Sequence, residues 1–196
     1  ETSLLNERVA IDFTYYNQVR RDAIVPGAAL PSMGFPGSQF VNVGAVRNKG
    51  YEVSVLGQVI RSEDWGLELG GSFADTDNKV EDLGGIVPPL IGWSWPGQRH
   101  VEGYPVASLF MKKVVSARWE GTNLVDVMCE GGDPLTGGGP PVPCDQAGTA
   151  WWGQPNPKWD VALTGNLRYK DLNLNATVDG QGGYVKCNGD IAWANV

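Results

Sequence analysis

Five stretches of this chain alternate apolar and polar residues with a period of two. Val9, Ile11, Phe13 and Tyr15 alternate with Ala10, Asp12, Thr14 and Tyr16. Tyr51, Val53, Val55 and Val59 alternate with Glu52, Ser54 and Gln58, and Trp65, Leu67, Leu69 and Phe73 with Gly66, Glu68, Gly70 and Ser72. Trp159, Val161, Leu163, Leu167 and Tyr169 alternate with Asp160, Ala162, Thr164, Asn166 and Arg168, and Leu172, Leu174, Ala176 and Val178 with Asn173, Asn175, Thr177 and Asp179. This period puts the two sets on opposite faces of a β-strand. Each stretch runs for about ten residues, whereas strands of globular proteins average about five or six. Ten residues tilted by about 45° cross the hydrocarbon core of a bilayer. No stretch of comparable length repeats its apolar residues at helical spacing. The expected fold is all-β, with antiparallel up-and-down strands.

The connections divide into two kinds. Arg61–Asp64 and Lys170–Asp171 are short polar turns. Asp75–Val101 and Glu120–Pro157 are long and rich in Gly, Pro and Asp, and they carry Trp93, Trp95, Trp151 and Trp152. Aromatic residues gather at strand ends: Tyr15, Tyr16, Tyr51, Trp65, Trp159 and Tyr169. Short turns on one side, long loops on the other and aromatic girdles are features of a transmembrane β-barrel. The competing expectation is a secreted, soluble β-sheet protein for carbohydrate binding or fibre assembly. The direction of the apolar face separates the two: outward as a band in a barrel, inward onto an enclosed core in a soluble domain.

Composition narrows the function. The chain has 196 residues, 15 basic against 22 acidic, and a net charge of −7. With no basic run it cannot neutralise a nucleic-acid backbone. Its 27 Gly and 13 Pro are too many for a helical bundle but below the level of a disordered chain. No apolar stretch approaches the roughly 18 residues of a transmembrane helix. The first residues lack the basic and apolar regions of a signal peptide, so either a leader has been removed or the chain is a piece of a longer product.

Five strings in order resemble the SusC/RagA family of TonB-dependent outer-membrane transporters. They are RVAIDFTYYNQVRRDAIVP (Arg8–Pro26), FVNVGAVRNKGYEVSV (Phe40–Val55), WGLELGGSFADTDNKVEDL (Trp65–Leu83), EGYPVASLF (Glu102–Phe110) and GQPNPKWDVALTGNLRYKDLNL (Gly153–Leu174). The second is similar to the family's recurrent pattern through Asn42, Gly44, Asn48, Gly50 and Glu52. The resemblance implies that residues 1–196 are a late part of a barrel of about 22 strands. Nothing in them resembles the plug domain or the TonB box, and about seven to nine strands are expected. It further implies residence in the bacterial outer membrane, in contact with its lipids, and import of a large nutrient such as an oligosaccharide or a peptide. The implied partners are a SusD-like lipoprotein lid and the TonB complex. No reaction is implied, so no catalytic residue, cofactor or metal is expected.

The remaining candidate residues lie in the predicted loops. Cys129 and Cys144 flank a Gly/Pro-rich segment; in the oxidising compartment of a barrel's external loops they are expected as a disulfide, the alternative being two free thiols. With Cys187 they lack the compact spacing of a metal site. Asp75, Asp77 and Asn78 are out of register for a calcium loop and read as a solvated turn. His100, the only histidine, has no nucleophile motif beside it and reads as part of a solvated loop next to Arg99. Asn175 opens a formal glycosylation sequon inside a predicted strand and reads as chance. The loop aromatics Trp93, Trp95, Trp151 and Trp152 are the candidate ligand-binding residues, by stacking on sugars or anchoring a partner. Filling the space under a long loop is their other possible use.

Overall fold

The computed structural model describes residues 2–5, 8–22, 24–28, 38–42, 44–85, 90–91 and 97–188. Among these residues the regular structure is entirely β. In chain order the strands are β1 (Thr2–Leu4), β2 (Val9–Arg21), β3 (Ile24–Ala28), β4 (Ser38–Asn42), β5 (Ala45–Arg61), β6 (Trp65–Asp82), β7 (Gln98–Arg99), β8 (Ser108–Met111), β9 (Val114–Glu120), β10 (Asn123–Asp133), β11 (Gly137–Pro143), β12 (Ala150–Gly153), β13 (Trp159–Tyr169) and β14 (Leu172–Gly182). They form two compact units. One comprises Glu1–Val19, Arg47–Asn78 and Pro157–Gly183; the other comprises Arg20–Val46, Lys79–Asn156 and Tyr184–Val196.

The first unit is a six-stranded sheet in the order β1-β2-β5-β6-β13-β14. Its register keeps the two residue classes apart. Leu167 lies between Leu67 on β6 and Leu174 on β14, and Tyr169 lies between Trp65 and Leu172. One residue along, Asn166 lies between Glu68 and Asn175, and Thr164 between Gly70 and Thr177. Directly paired residues share a face, so one face is apolar and the other polar. The apolar face is open: Phe13 is 61%, Leu69 49% and Leu163 59% exposed. The buried apolar residues among those described are Val80, Leu83, Val101, Leu109, Phe110, Cys129, Ala147 and Ala150, and all belong to the second unit. The greasy stripes of the sheet therefore do not converge on a protein core, as a soluble sandwich would require. β13 is 11 residues long. At about 3.3 Å per residue and a barrel strand's tilt of about 40°, its Trp159-to-Tyr169 face makes a band roughly 25 Å tall.

At the short-turn end, neighbouring hairpins are bonded to one another. The Ser62 hydroxyl donates to the Trp65 carbonyl at 3.1 Å and accepts the Trp65 amide at 3.0 Å, closing the β5–β6 turn. Lys170, at φ 50°, turns the β13–β14 hairpin and donates its amide to Asp64 O at 2.7 Å. Arg168 donates Nη1 to Glu63 O and Nη2 to Ser62 O, at 3.0 and 2.9 Å. Above them the Trp65 and Tyr169 rings stack 4.3 Å apart.

The other end differs from the sequence expectation. β6 continues to Asp82, so Asp75, Asp77 and Asn78 are strand residues rather than a turn, and Asp77 pairs with Lys49 of β5 at 3.1 Å. The two long loops are parts of one excursion, residues 83–158, because β6 pairs directly with β13. Instead of wall strands, the excursion carries the three-stranded sheets β11-β10-β9 and β12-β8-β7. Of the fourteen strands among the described residues, six belong to the long sheet.

Across the polar face, Tyr16 reaches over Gly50 of β5 to bond Thr76 of β6, Oη to Oγ1 at 2.7 Å. A Cβ at Gly50 would meet both the Tyr16 ring and Asp75 O. Gly50→Val is therefore expected to displace the ring and cost about 1–3 kcal/mol, the usual penalty of overpacking. Tyr16→Phe removes one hydrogen bond, about 1 kcal/mol. Urea unfolding in detergent micelles would rank the two; a Gly50→Val variant as stable as the parent would contradict this packing.

Candidate functional site

The polar face of the long sheet is the first candidate surface. Asp12 on β2, Glu52 and Ser54 on β5, Ser72 on β6, Asp160 on β13 and Asp179 and Gln181 on β14 line one shallow pocket. They meet because period two places them on the same side of four neighbouring strands plus β2. Gln58, Glu68, Asn166, Arg168 and Asn173 line a second pocket on the sheet. The surface offers hydroxyls, carboxamides and carboxylates, with no nucleophile paired to a base. No group of three or more His, Cys, Asp or Glu is placed to hold a metal among the described residues. Sequence reading did not group the four acids. Each was visible in the polar register, but their meeting depends on β6 pairing with β13 across the excursion.

The second candidate surface lies in the excursion. Trp93 and Trp95 lie outside the described residues. Trp151 and Trp152 follow one another on β12 and go to different partners. Trp151 packs on Tyr104 with ring centroids 5.7 Å apart, and Tyr104 packs edge-on against buried Phe110 at 5.4 Å. Trp152 sits at an irregularity in the β8–β12 register and donates Nε1 to Met111 O at 3.3 Å. Both indoles remain about 40% exposed. His100 is half-buried rather than in a solvated loop; its Nδ1 accepts the Ala107 amide at 3.3 Å.

Cys129 and Cys144 are joined by a disulfide with Cα atoms 4.8 Å apart, and Cys187 is free. The bridge spans the β10–β11 hairpin, where Cys129 faces Val142. Glu130 accepts from Lys113 Nζ at 2.9 Å and from the Gly138 amide at 2.8 Å. Asp133 accepts the Leu135 and Thr136 amides at 2.9 Å and the Thr136 hydroxyl at 3.0 Å. The Lys113 hydrogen bond, then the Gly138 amide, holds the Glu130 carboxyl below its ordinary value; the Thr136 amide leads in doing the same for Asp133.

Comparison with known proteins fits this geometry. A family profile described as TonB dependent receptor-like, beta-barrel, matches residues 2–194. TonB-dependent receptor P3 of Formosa agariphila is 26% identical over 188 residues, covering 89% of this chain and 19% of the relative. TonB-dependent receptor P26 of the same organism is 31% identical over 86 residues, 44% of this chain and 9% of the relative. The chain thus spans about a fifth or less of the curated relatives it matches. Among solved structures, the RagAB peptide importer in its open-open state superposes with a TM-score of 0.73 at 18% identity, covering 93% of this chain and 19% of that one. Its closed-closed state gives 0.73 at 19%, covering 93% and 20%.

Two outcomes test the excursion. Replacing Cys129 and Cys144 by Ser is expected to lower stability by about 3 kcal/mol, the chain-entropy value for a loop of this size. Limited proteolysis within 130–143 should then become fast without reductant. Acid should also loosen the hairpin. Depressed carboxyl values mean stabilisation that is complete above the unfolded-state values of Glu130 and Asp133, ordinarily 4.5 and 3.8, and is lost as pH falls below them. Amide exchange at Gly138 should rise over that window, and Glu130→Gln should flatten its dependence.

Proposed function

We propose that this chain, which belongs to the TonB-dependent receptor-like β-barrel family, forms a section of the wall of a bacterial outer-membrane transporter for a large nutrient. The observation that carries the reading is the exposed apolar face of the long sheet, from Trp65 to Phe73 and from Trp159 to Tyr169, to which none of the buried apolar residues among those described belongs. Lipid is the solvent such a face requires. The opposite face lines a wet passage with Asp12, Glu52, Thr164, Asn166 and Asp179. It guides cargo and makes or breaks no bond.

The cargo is an oligosaccharide or a peptide. Two solved structures that superpose on this chain are described as a peptide importer, which supports the peptide; the exposed indoles Trp151 and Trp152 support a sugar, since aromatic faces stack on apolar ring faces. A SusD-like lipoprotein would cover the long-loop side, and the TonB complex would supply energy.

The two faces can be separated by paired substitutions on β13. Leu163→Arg places a charge mid-band and is expected to cost about 2–4 kcal/mol. Thr164→Arg, one residue along on the wet face, is expected to be tolerated. The readout is the amount of heat-modifiable, folded protein in the outer-membrane fraction of cells carrying the full-length receptor. Equal tolerance of both would overturn the reading. Trp151→Ala is expected to weaken cargo binding by about 1 kcal/mol, one lost aromatic contact. Isothermal titration with glycan and peptide pools would show which cargo responds.

A further inference from the structure

The two edges of the excursion sheet β11-β10-β9 are built differently. β11 carries Pro140, Pro141 and Pro143, which remove main-chain donors from one edge. β9, VVSARWE, has neither proline nor glycine, and all seven of its residues are exposed. Among the described residues no strand pairs with its outer side. Its charges do not guard it either. Arg118 bonds Asp126 of β10 through Nε and Nη2 at 3.1 and 3.0 Å and lies 4.0 Å from Glu120, so the three are engaged with one another.

The register identifies the open groups. β9 and β10 are joined by the two-residue turn Gly121–Thr122, beside which Glu120 and Asn123 are directly opposed. In such a hairpin this pair exchanges both main-chain bonds and the next pair does not, so the Trp119 amide and carbonyl point away from β10. Two residues along, Ala117 has no partner on β10: the register passes from Arg118–Val125 to Ser116–Met128, with the irregularity taken up on β10, where Asp126 has φ 53°. The open groups recur at every second residue, about 6.5–7 Å apart. An extended main chain carries the same repeat of donor and acceptor; a glycan does not. Trp119 is 70% exposed and faces Leu124, 47% exposed, on one side of the hairpin. An added strand would set alternate apolar side chains against that pair.

We propose that the outer edge of β9 is a strand-addition site for peptide cargo, which pairs its main chain with Ala117 and Trp119 in extended form. This deepens the peptide alternative given above and rests on it. Main-chain pairing reads backbone rather than sequence, and alternate side chains add only a preference. It therefore suits an importer of mixed peptides: cargo of many sequences is held at one edge, with an apolar residue favoured opposite Trp119.

The test uses the full-length receptor in detergent. The probe is an acetylated, amidated peptide of repeating Thr-Val flanked by lysines, beside the same peptide N-methylated at every residue. Hydrogen–deuterium exchange should show the amides of Ala117 and Trp119 open in the free receptor and protected when the probe is bound. Ala117→Pro copies the protection of β11 without removing a ladder bond, since proline is tolerated on the free side of an edge strand. By calorimetry this variant, and the N-methylated probe on the parent, should each bind at least about fivefold more weakly, the equivalent of one lost hydrogen bond. Binding unaffected by both changes overturns the strand pairing and leaves the peptide cargo standing. Glycan binding with no peptide binding removes the cargo reading and the proposal with it. Protection of Ala117 and Trp119 before probe is added, by another part of the receptor or by a second copy, is equally fatal. Should Ala117→Pro not fold, equal binding of the two probes by the parent decides against the proposal.

Discussion

A sheet that segregates its side chains completely and has nothing to bury its apolar side against must find its solvent elsewhere. That constraint organises the long sheet of this chain. The pairing of β6, β13 and β14 keeps Leu67, Leu167 and Leu174 in one row and Glu68, Asn166 and Asn175 in the next. A slip of one residue would turn every leucine toward the polar side and every carboxylate toward the apolar side. Each unsatisfied polar group facing hydrocarbon costs several kcal/mol. The register is thus specified by the two solvents as strongly as by any core.

The short-turn end holds this register mechanically. Two-residue and three-residue turns leave little freedom to slip. Arg168 and Lys170 tie one hairpin to the carbonyls of the next. Arg168 lies on the polar face, yet its guanidinium is used on main-chain oxygens of Ser62 and Glu63. The Trp65–Tyr169 pair marks the level at which the apolar row ends. Chemistry therefore changes sharply along one strand: indole and phenol rings at the boundary, aliphatic residues above, a bonded turn below.

The wall was legible in the sequence because two conditions specify it locally. Alternation from Trp159 to Val178 assigns faces, and the Lys170–Asp171 turn permits essentially one pairing. Gly50, within the motif that suggested the family, proves to be a site of close approach beneath Tyr16. The excursion was not legible. β11 contains Pro140, Pro141 and Pro143 with three glycines and reads as loop; it is a strand because it lies at the edge of its sheet and pairs with β10. Asp75 to Asp82 read as turn by propensity, but cross-strand partners such as Lys49 override propensity there. The grouping of Asp12, Glu52, Asp160 and Asp179 rests on strand neighbours far apart in sequence, which no local pattern reveals.

The excursion leaves β6 and returns to β13 between strands that are already hydrogen-bonded, with Asp75 facing Trp159 and the Thr76 amide on Lys158 O at 2.7 Å. The two strands that carry it are therefore one inter-strand spacing apart, about 5 Å, where their ladder ends. An insert anchored in this way can lengthen, shrink or be exchanged for another without disturbing the ladder beside it. Sequence change can therefore remodel this segment while the six-stranded ladder is inherited unaltered.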